Sequence, residues 1–229
     1  MSRIFITGDT HGEVDISKLN AKKFPQGKNL TRDDYVIICG DFGGIWDGSN
    51  TDKYVLNWYN KKPWTTLFVD GNHENFHLLK QYPVTEWNGG RVHKISDSIY
   101  HLMRGQVFVL NGKKFFTFGG ASSIDRQFRK EYVSWWREEL PNRFECRKAM
   151  ETLEANNYSV DYVITHCLPM DIVKVFFGEY ARQDTATKFL QEVYETVDYE
   201  KWFCGHYHTD LEIIDLRIQM LYQNVIELS

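Results

Sequence analysis

The chain has only 4 Cys and 5 Pro in 229 residues, no CxxC pair, and no run near the roughly 18 apolar residues that a bilayer span needs. Cys39, Cys146, Cys167 and Cys204 are too sparse for a disulfide framework and too scattered for a zinc ribbon, so a reducing, cytoplasmic compartment is the expected home. Met1-Ser-Arg-Ile-Phe-Ile-Thr7 enters a strand-like run without a basic leader, an apolar stretch or a small-residue cleavage site, so no secretory signal is expected. Neither sign of charge dominates: 27 Lys+Arg stand against 31 Asp+Glu, a formal net charge of -4. That balance is wrong for a protein living on backbone charge, and extended nucleic acid is therefore not the expected partner. Few prolines, 16 Gly and 42% apolar residues exclude disorder and collagen-like repetition. What is abundant is aromatic side chain, with 7 Trp, 13 Tyr and 15 Phe, enough to line a cleft or an oligomer contact as well as fill a core.

Arg3 to Thr7, Tyr35 to Cys39 and Thr65 to Val69 read as strands, the second so continuously apolar that both its faces should be covered. Thr51 to about Lys62 has the apolar stripe of a helix capped by Thr51 and stopped at Pro63, and a short helix is expected from Asn75 to Leu79. Asn88-Gly89-Gly90 marks a turn. Ile99 to Leu110 and Lys113 to Phe118 flank Asn111-Gly112, a hairpin signal amid an otherwise parallel pattern. Asn142 with Glu145 opens a capped helix to about Asn156, Val160 to Thr165 resumes the strands, and Asp184 to Val197 is helical. Lys201 to Cys204 is a short strand, and Leu211 to Leu216 with Gln219 to Leu228 are expected to close as a hairpin. No linker or repeat divides the chain, so residues 1–229 are expected to form one domain.

The chemistry lies where these strands stop. Asp9 and His11 follow the first strand in Gly8-Asp-Thr-His-Gly12, Asp41 follows the second, and Asn72-His73 follow the third in Gly71-Asn-His-Glu74. His166 follows the fourth, and His206 with His208 follow the fifth in Gly205-His-Tyr-His208. The crevice beyond the carboxyl ends of strands is where open α/β sheets bind ligands. Carboxylates and imidazoles favour divalent transition metals, and Asn72 adds an amide oxygen. Seven such residues exceed one tetrahedral ion and suit two, about 3.5–4 Å apart, sharing a carboxylate and a water. Two divalent cations against two carboxylates would leave a positive pocket for an anion such as phosphate. His77, His93 and His101 carry no such motif and read as a helix-surface residue and strand or loop residues; Cys39, Cys167 and Cys204 read as strand packing.

The ordered set Gly8-Asp-Thr-His-Gly12, Gly40-Asp41, Gly71-Asn-His-Glu74, Thr165-His166 and Gly205-His-Tyr-His208 resembles the calcineurin-like metallophosphoesterase superfamily. The resemblance implies a four-layer α/β/β/α sandwich of two mixed β-sheets flanked by helices. It implies two divalent metal ions, Mn2+ and/or Fe2+/Fe3+ with Zn2+ or Ni2+ as alternatives. Asp9, His11 and His208 would hold the first ion and Asn72, His166 and His206 the second, with Asp41 bridging. It further implies hydrolysis of a phosphate ester on a phosphorylated small molecule, nucleotide or phosphoprotein. A hydroxide shared by the ions would be the nucleophile, with Asn72 steadying charge and a cationic His73 as general acid.

The pattern departs from the phosphoprotein phosphatases at one point: where those continue Gly-Asp with Asp-Arg-Gly, this chain reads Gly40-Asp-Phe-Gly-Gly-Ile-Trp46 and lacks the phosphate-gripping arginine. Residues 91 to 148 hold 12 Lys+Arg against 6 Asp+Glu, and Arg126 and Arg129 within them are the candidate replacements. Trp135-Trp136 is a candidate cleft wall. The alternatives are a Ser/Thr phosphoprotein phosphatase, a nucleotide phosphodiesterase, or a non-catalytic metal-binding scaffold of the same fold.

Overall fold

In a computed structural model, which describes residues 2–178 and 183–228, the chain forms two mixed sheets with helices on their outer faces. The elements in order are β1 (Ile4–Thr7), β2 (Tyr35–Ile38), α1 (Asn50–Asn60), β3 (Thr65–Phe68), α2 (Phe76–Leu79), β4 (Val84–Trp87), β5 (Gly90–Ser96), β6 (Ile99–Leu102), β7 (Gln106–Leu110) and β8 (Lys113–Phe118). They continue as α3 (Arg143–Ala155), β9 (Ser159–Thr165), α4 (Met170–Phe177), α5 (Thr185–Thr196), β10 (Asp198–Cys204), β11 (Leu211–Ile213), β12 (Ile218–Met220) and β13 (Val225–Glu227). The first sheet runs β13-β1-β2-β3-β6-β5-β4 and the second β11-β12-β10-β9-β8-β7. Both contain parallel and antiparallel pairs.

The apolar runs are continuous because each central strand is covered twice. Ile4, Ile6, Ile37, Cys39 and Leu67 point between the sheets to meet Phe115, Ile164 and Phe203, whereas Phe5, Val36, Ile38 and Phe68 point outward to Val55, Tyr59 and Trp64. On the far side Phe116, Phe118, Val163 and Trp202 pack against Ala149, Leu153, Phe189 and Leu190 of α3 and α5. Three apolar seams thus separate four layers, and parallel pairing of β1, β2 and β3 brings their carboxyl ends to one edge.

Several boundaries differ from the sequence reading for physical reasons. Ser49, not Thr51, caps α1, its extended backbone letting the hydroxyl accept from the Thr51 N–H (3.2 Å). The run Ile99 to Leu110 is two strands in different sheets, broken where Arg104 turns inward to Asp70 (Nε–Oδ2 2.9 Å). The expected closing hairpin is also divided: β11 pairs with β12 in the second sheet, but β13 crosses to pair antiparallel with β1 in the first. Asp210 makes that crossing, its carboxylate accepting from the N–H groups of Tyr222 (2.8 Å), Gln223 (3.0 Å) and Asn224 (3.1 Å).

His93 and His101 sit on strands, directly opposite one another on β5 and β6. Their Nδ1 atoms are 2.9 Å apart, and His101 Nε2 lies 3.1 Å from Asp70, so this buried chain ends on the Asp70–Arg104 pair. Burial opposes ionisation of Asp70, but Arg104 and His101 hold its carboxyl below the ordinary range. Burial, then His101, pushes the His93 imidazole down to about 4. An unfolded histidine takes its proton near ~6.5, so between that pH and about 4 the unfolded state binds more protons and stability falls with acidification. Melting temperatures of metal-free protein at the two ends of this window should differ by an amount that shrinks in His93→Phe, by on the order of 5 °C; equal slopes in both proteins would count against the assignment.

Candidate metal centre

The edge to which β1, β2, β3, β9 and β10 deliver their carboxyl ends is where Asp9, His11, Asp41, Asn72, His73, His166, His206 and His208 come together. The first two loops are laced by backbone: the N–H groups of Thr10 and His11 donate to the Asp41 carbonyl (3.0 and 2.8 Å), and Gly12 N–H donates to Phe42 (3.1 Å). His11, Asp41, His206 and His208 adopt left-handed backbone at φ 41°, 47°, 69° and 48°, a conformation costly for residues with a β-carbon and one that clusters at functional sites. Gly40 (φ 92°) is required by approach as well as by φ, since a β-carbon there would stand 2.1 Å from His166 Nδ1; at Gly71 it would stand 2.0 Å from Asp41 Oδ1.

Ligand atoms of Asp9, His11 and His208, of His11, Asp41 and His73, and of Asp9, Asp41 and His166 lie within 4.8 Å of one another in each trio. His166 Nδ1 faces the Cys39 carbonyl at 2.8 Å, which can only accept, so Nδ1 carries hydrogen. Nε2 then presents its lone pair to Asn72 Oδ1 (3.2 Å) and Asp41 Oδ1 (3.4 Å), both acceptors. His11 is caught in the same way, with Nδ1 2.7 Å from Asp15 and Nε2 3.2 Å from Asp41 Oδ2. Each arrangement is stable only with a positive charge between the acceptors, whether a proton or a metal ion. Burial works against the imidazolium at both rings, yet Asp41 and Asp15 carry His11 up to about 9, and Asp41 and Asp9 carry His166 to about 10. Asp41 is the counterpart: despite burial, His166 and His11 hold it well below the ordinary carboxylate range. Burial, then His166, drives His206 down to about 3, leaving it neutral and able to donate a lone pair. This set of imidazole, carboxylate and amide oxygen atoms fits divalent transition metals. The buried thiols of Cys39, Cys167 and Cys204 are pushed well up by burial, as strand packing requires.

Residues absent from the sequence reading orient these donors. Asp15, four residues after His11, receives the Tyr222 hydroxyl (3.0 Å) on its second oxygen, and the Tyr222 ring stacks on His208 at 4.7 Å. Lys18, buried, gives its ammonium to the carbonyls of Gly8, Asp9 and Tyr222, tying the first loop to the crossing before β13. His206 N–H donates to both oxygens of Asp9 at 3.0 Å, and His73 N–H donates to Asp41 Oδ1 at 2.8 Å. Asn72 Nδ2 donates to Ser123 Oγ (3.3 Å), which donates to buried Glu139 (2.7 Å), so the amide oxygen is left facing the centre. Of these, only the His11–Asp15 spacing was available from the sequence; the others join residues far apart in the chain.

The two arginines separate. Arg126 pairs with Glu139 (Nε–Oε1 2.6 Å) over the Trp135 ring and lines a different recess. Arg129 lines the cavity of about 700 Å³ over the centre, with its guanidinium nitrogens 3.3 and 3.4 Å from the His73 ring and an ion pair to Asp125 (2.8 Å) behind it. The basic stretch is largely neutralised by local pairs, including Lys113 with Asp161 and Glu200 and Lys148 with Glu151. Trp136 is buried and packs edge-on against Trp46 (5.3 Å).

Two mixed sheets in a four-layer arrangement, with imidazole and carboxylate ligands converging at their carboxyl edge, define the metallophosphoesterase-like class of folds. Residues 2–210 match the calcineurin-like phosphoesterase family, and the chain belongs to it. Among curated proteins it is similar to the lariat debranching enzymes of Schizosaccharomyces pombe, 24% identical over 90% of this chain and 48% of that protein, and of Homo sapiens, 23% identical over 90% and 42%. The chain thus spans less than half the length of these relatives. A solved structure described as a putative 5'-nucleotidase from Staphylococcus aureus in complex with alpha-ketoglutarate shares the fold, with a TM-score of 0.51 at 15% identity over 99% of this chain and 50% of that one. Among the described residues no helix is long and apolar enough to cross a membrane.

Proposed function

We propose that the protein hydrolyses phosphate esters with the help of two divalent metal ions. The observation that carries this reading is the pair of confronted lone-pair sets at His11 and His166, which a single buried carboxylate, Asp41, spans with its two oxygens. Asp9, His11 and His208 would hold one ion, Asn72, His166 and His206 the other, and Asp41 both. Two divalent ions held there would acidify a water and draw negative charge off the phosphoryl oxygens.

The chain's own part follows from what overhangs the centre. Arg129, on the cavity wall, supplies a planar fork of N–H donors suited to phosphate oxygens, the role left vacant by the missing Asp-Arg-Gly segment. His73 is anchored through its own N–H to Asp41 and stands as general acid for the departing oxygen. Burial, then Arg129, holds its imidazole below the ordinary value while Asp41 opposes them. A phosphate dianion beside both groups would favour the imidazolium, so the proton is loaded when substrate arrives. Membership of the family and similarity to enzymes named for debranching support phosphoester chemistry, and the cavity of about 700 Å³ over the centre has room for a small phosphorylated molecule or nucleotide.

Metal-stripped protein reconstituted with Mn2+, Fe2+, Zn2+ or Ni2+ should hydrolyse p-nitrophenyl phosphate or bis-p-nitrophenyl phosphate, the ratio of the two rates separating monoester from diester preference. Protein loaded with Mn2+ that is inert on both, and on nucleotides, phosphopeptides and a lariat substrate, would overturn the reading.

A further inference from the structure

The cavity over the metal centre has two unlike walls. Asn72, His73 and Arg129 suit a phosphoryl group, whereas Ile124, Val173, Phe177 and Tyr207 offer no charge and almost no hydrogen-bonding capacity; of the polar groups that also line the cavity, Asp125 is paired with Arg129, and Asp184 and Thr187 bond one another at the start of α5. Val173 and Tyr207 belong to the edge of the core, but Ile124 and Phe177 extend beyond it. Ile124 is 75% exposed, on the loop after β8, and Phe177 is 48% exposed, at the last turn of α4. Two elements remote in sequence thus hold apolar side chains out toward the same space.

The back of that wall is flat and fixed. The rings of Phe177 and Tyr207 lie nearly parallel, 19° apart with centroids at 4.9 Å. Tyr207 cannot turn its hydroxyl into the cavity without losing the Leu168 N–H that donates to it at 3.0 Å, so its polar end is spent on the backbone. Tyr207 also lies between two candidate ligands, His206 and His208, with its ring edge-on to the His206 imidazole at 5.0 Å. The wall and the candidate ligands thus share one cavity.

We propose that this wall is the leaving-group subsite and that the substrate is a small phosphoester whose alcohol carries a flat, unsaturated ring, seated beside Phe177 and Tyr207. The proposal rests on the phosphoesterase reading above and narrows it to a substrate class. Charge complementarity sets the orientation: the dianion belongs with Arg129 and the metal ligands, and the ring with the apolar faces of Phe177 and Tyr207. Parallel and edge-on aromatic contacts add to area burial, which an aliphatic group of the same size does not gain.

The test compares two substrates that are both primary alkyl phosphates and so leave with similar ease, benzyl phosphate and cyclohexylmethyl phosphate, with methyl phosphate as the ringless reference. Wild-type enzyme loaded with Mn2+ should favour benzyl over methyl phosphate in kcat/KM by about tenfold or more and benzyl over cyclohexylmethyl phosphate severalfold. Phe177→Ala should reduce the benzyl-to-methyl ratio about tenfold, and Phe177→Leu, which keeps apolar bulk but removes the flat face, should abolish the preference for benzyl over cyclohexylmethyl. Calorimetric binding of benzylphosphonate, cyclohexylmethylphosphonate and methylphosphonate to the same proteins supplies a readout that needs no turnover. Equal affinity for benzylphosphonate and cyclohexylmethylphosphonate, or a benzyl-to-methyl ratio that Phe177→Ala leaves unchanged, overturns the subsite. If no ester is turned over, the hydrolase reading fails while the phosphonate comparison still decides the ring subsite. Competition by thymidine 5'-phosphate stronger than by benzylphosphonate identifies the ring as a nucleobase, and the reverse identifies a simple aryl group.

Discussion

Asp41→Ala protein, dialysed against excess Mn2+, should retain fewer than two ions per chain and hydrolyse no phosphoester measurably. Asp41 faces both halves of the centre through its two oxygens, Oδ2 at 3.2 Å from His11 Nε2 and Oδ1 at 3.4 Å from His166 Nε2. Its removal would take a proposed ligand from each ion at once and also free the His73 N–H that Oδ1 accepts. The substitution does not simply leave a hole, because the imidazolium forms of His11 and His166 owe their stability in large part to this carboxylate. A graded partner makes the test sharper. Asp15→Ala removes no proposed ligand, only the carboxylate that stands 2.7 Å from His11 Nδ1 and accepts the Tyr222 hydroxyl, and should weaken metal binding about 10–100-fold, the usual cost of losing the group that orients a ligating histidine. Metal analysis finding two ions per chain in Asp41→Ala would end the bridging assignment; Asp15→Ala with wild-type affinity would end the orienting one.

How far the sequence shows this arrangement depends on the range of the interactions involved. The strand ends are legible because a strand covered on both faces writes itself as an unbroken apolar run, and Tyr35-Val-Ile-Ile-Cys39 followed by Gly40-Asp41 marks both the strand and the place where it stops. Local caps are legible for the same reason: Asn142 and Glu145 close a capping box within three residues. What stays hidden is decided between distant segments. Nothing near Val225 says that it will leave its hairpin neighbour for β1, because the turn is made by Asp210 accepting three N–H groups more than ten residues away. The two arginines show the limit most clearly. Arg126 and Arg129 share a basic, aromatic loop and are indistinguishable by composition, yet a buried Glu139 takes one while the cavity keeps the other. Through Glu139 and Ser123, Arg126 reaches the back of Asn72, behind the amide and away from the cavity that Arg129 lines.

His73→Ala should keep both metal ions and lose about 10²–10⁴-fold in kcat on esters of poor leaving groups, the range expected for a positioned general acid. The alternative role for this side chain is a concrete one, since its ring nitrogen lies with His11 and Asp41 in a trio compact enough to hold an ion. Two features weigh against ligation. The ring faces a guanidinium at 3.3 and 3.4 Å, and a cation coordinated on that side would sit against the Arg129 charge. The tie that fixes the residue runs through its backbone N–H to Asp41, which leaves the imidazole itself over the cavity. The distinction can be read from the leaving group. If His73 donates the proton to the departing oxygen, its loss should hurt benzyl phosphate far more than p-nitrophenyl phosphate, because p-nitrophenolate departs without needing a proton. If instead His73 holds an ion, both substrates should suffer alike and metal analysis should show less than two ions per chain. Equal losses on the two esters with full metal content would remove both roles and leave Arg129 still assigned to the phosphate, a position Arg129→Lys would then probe through KM.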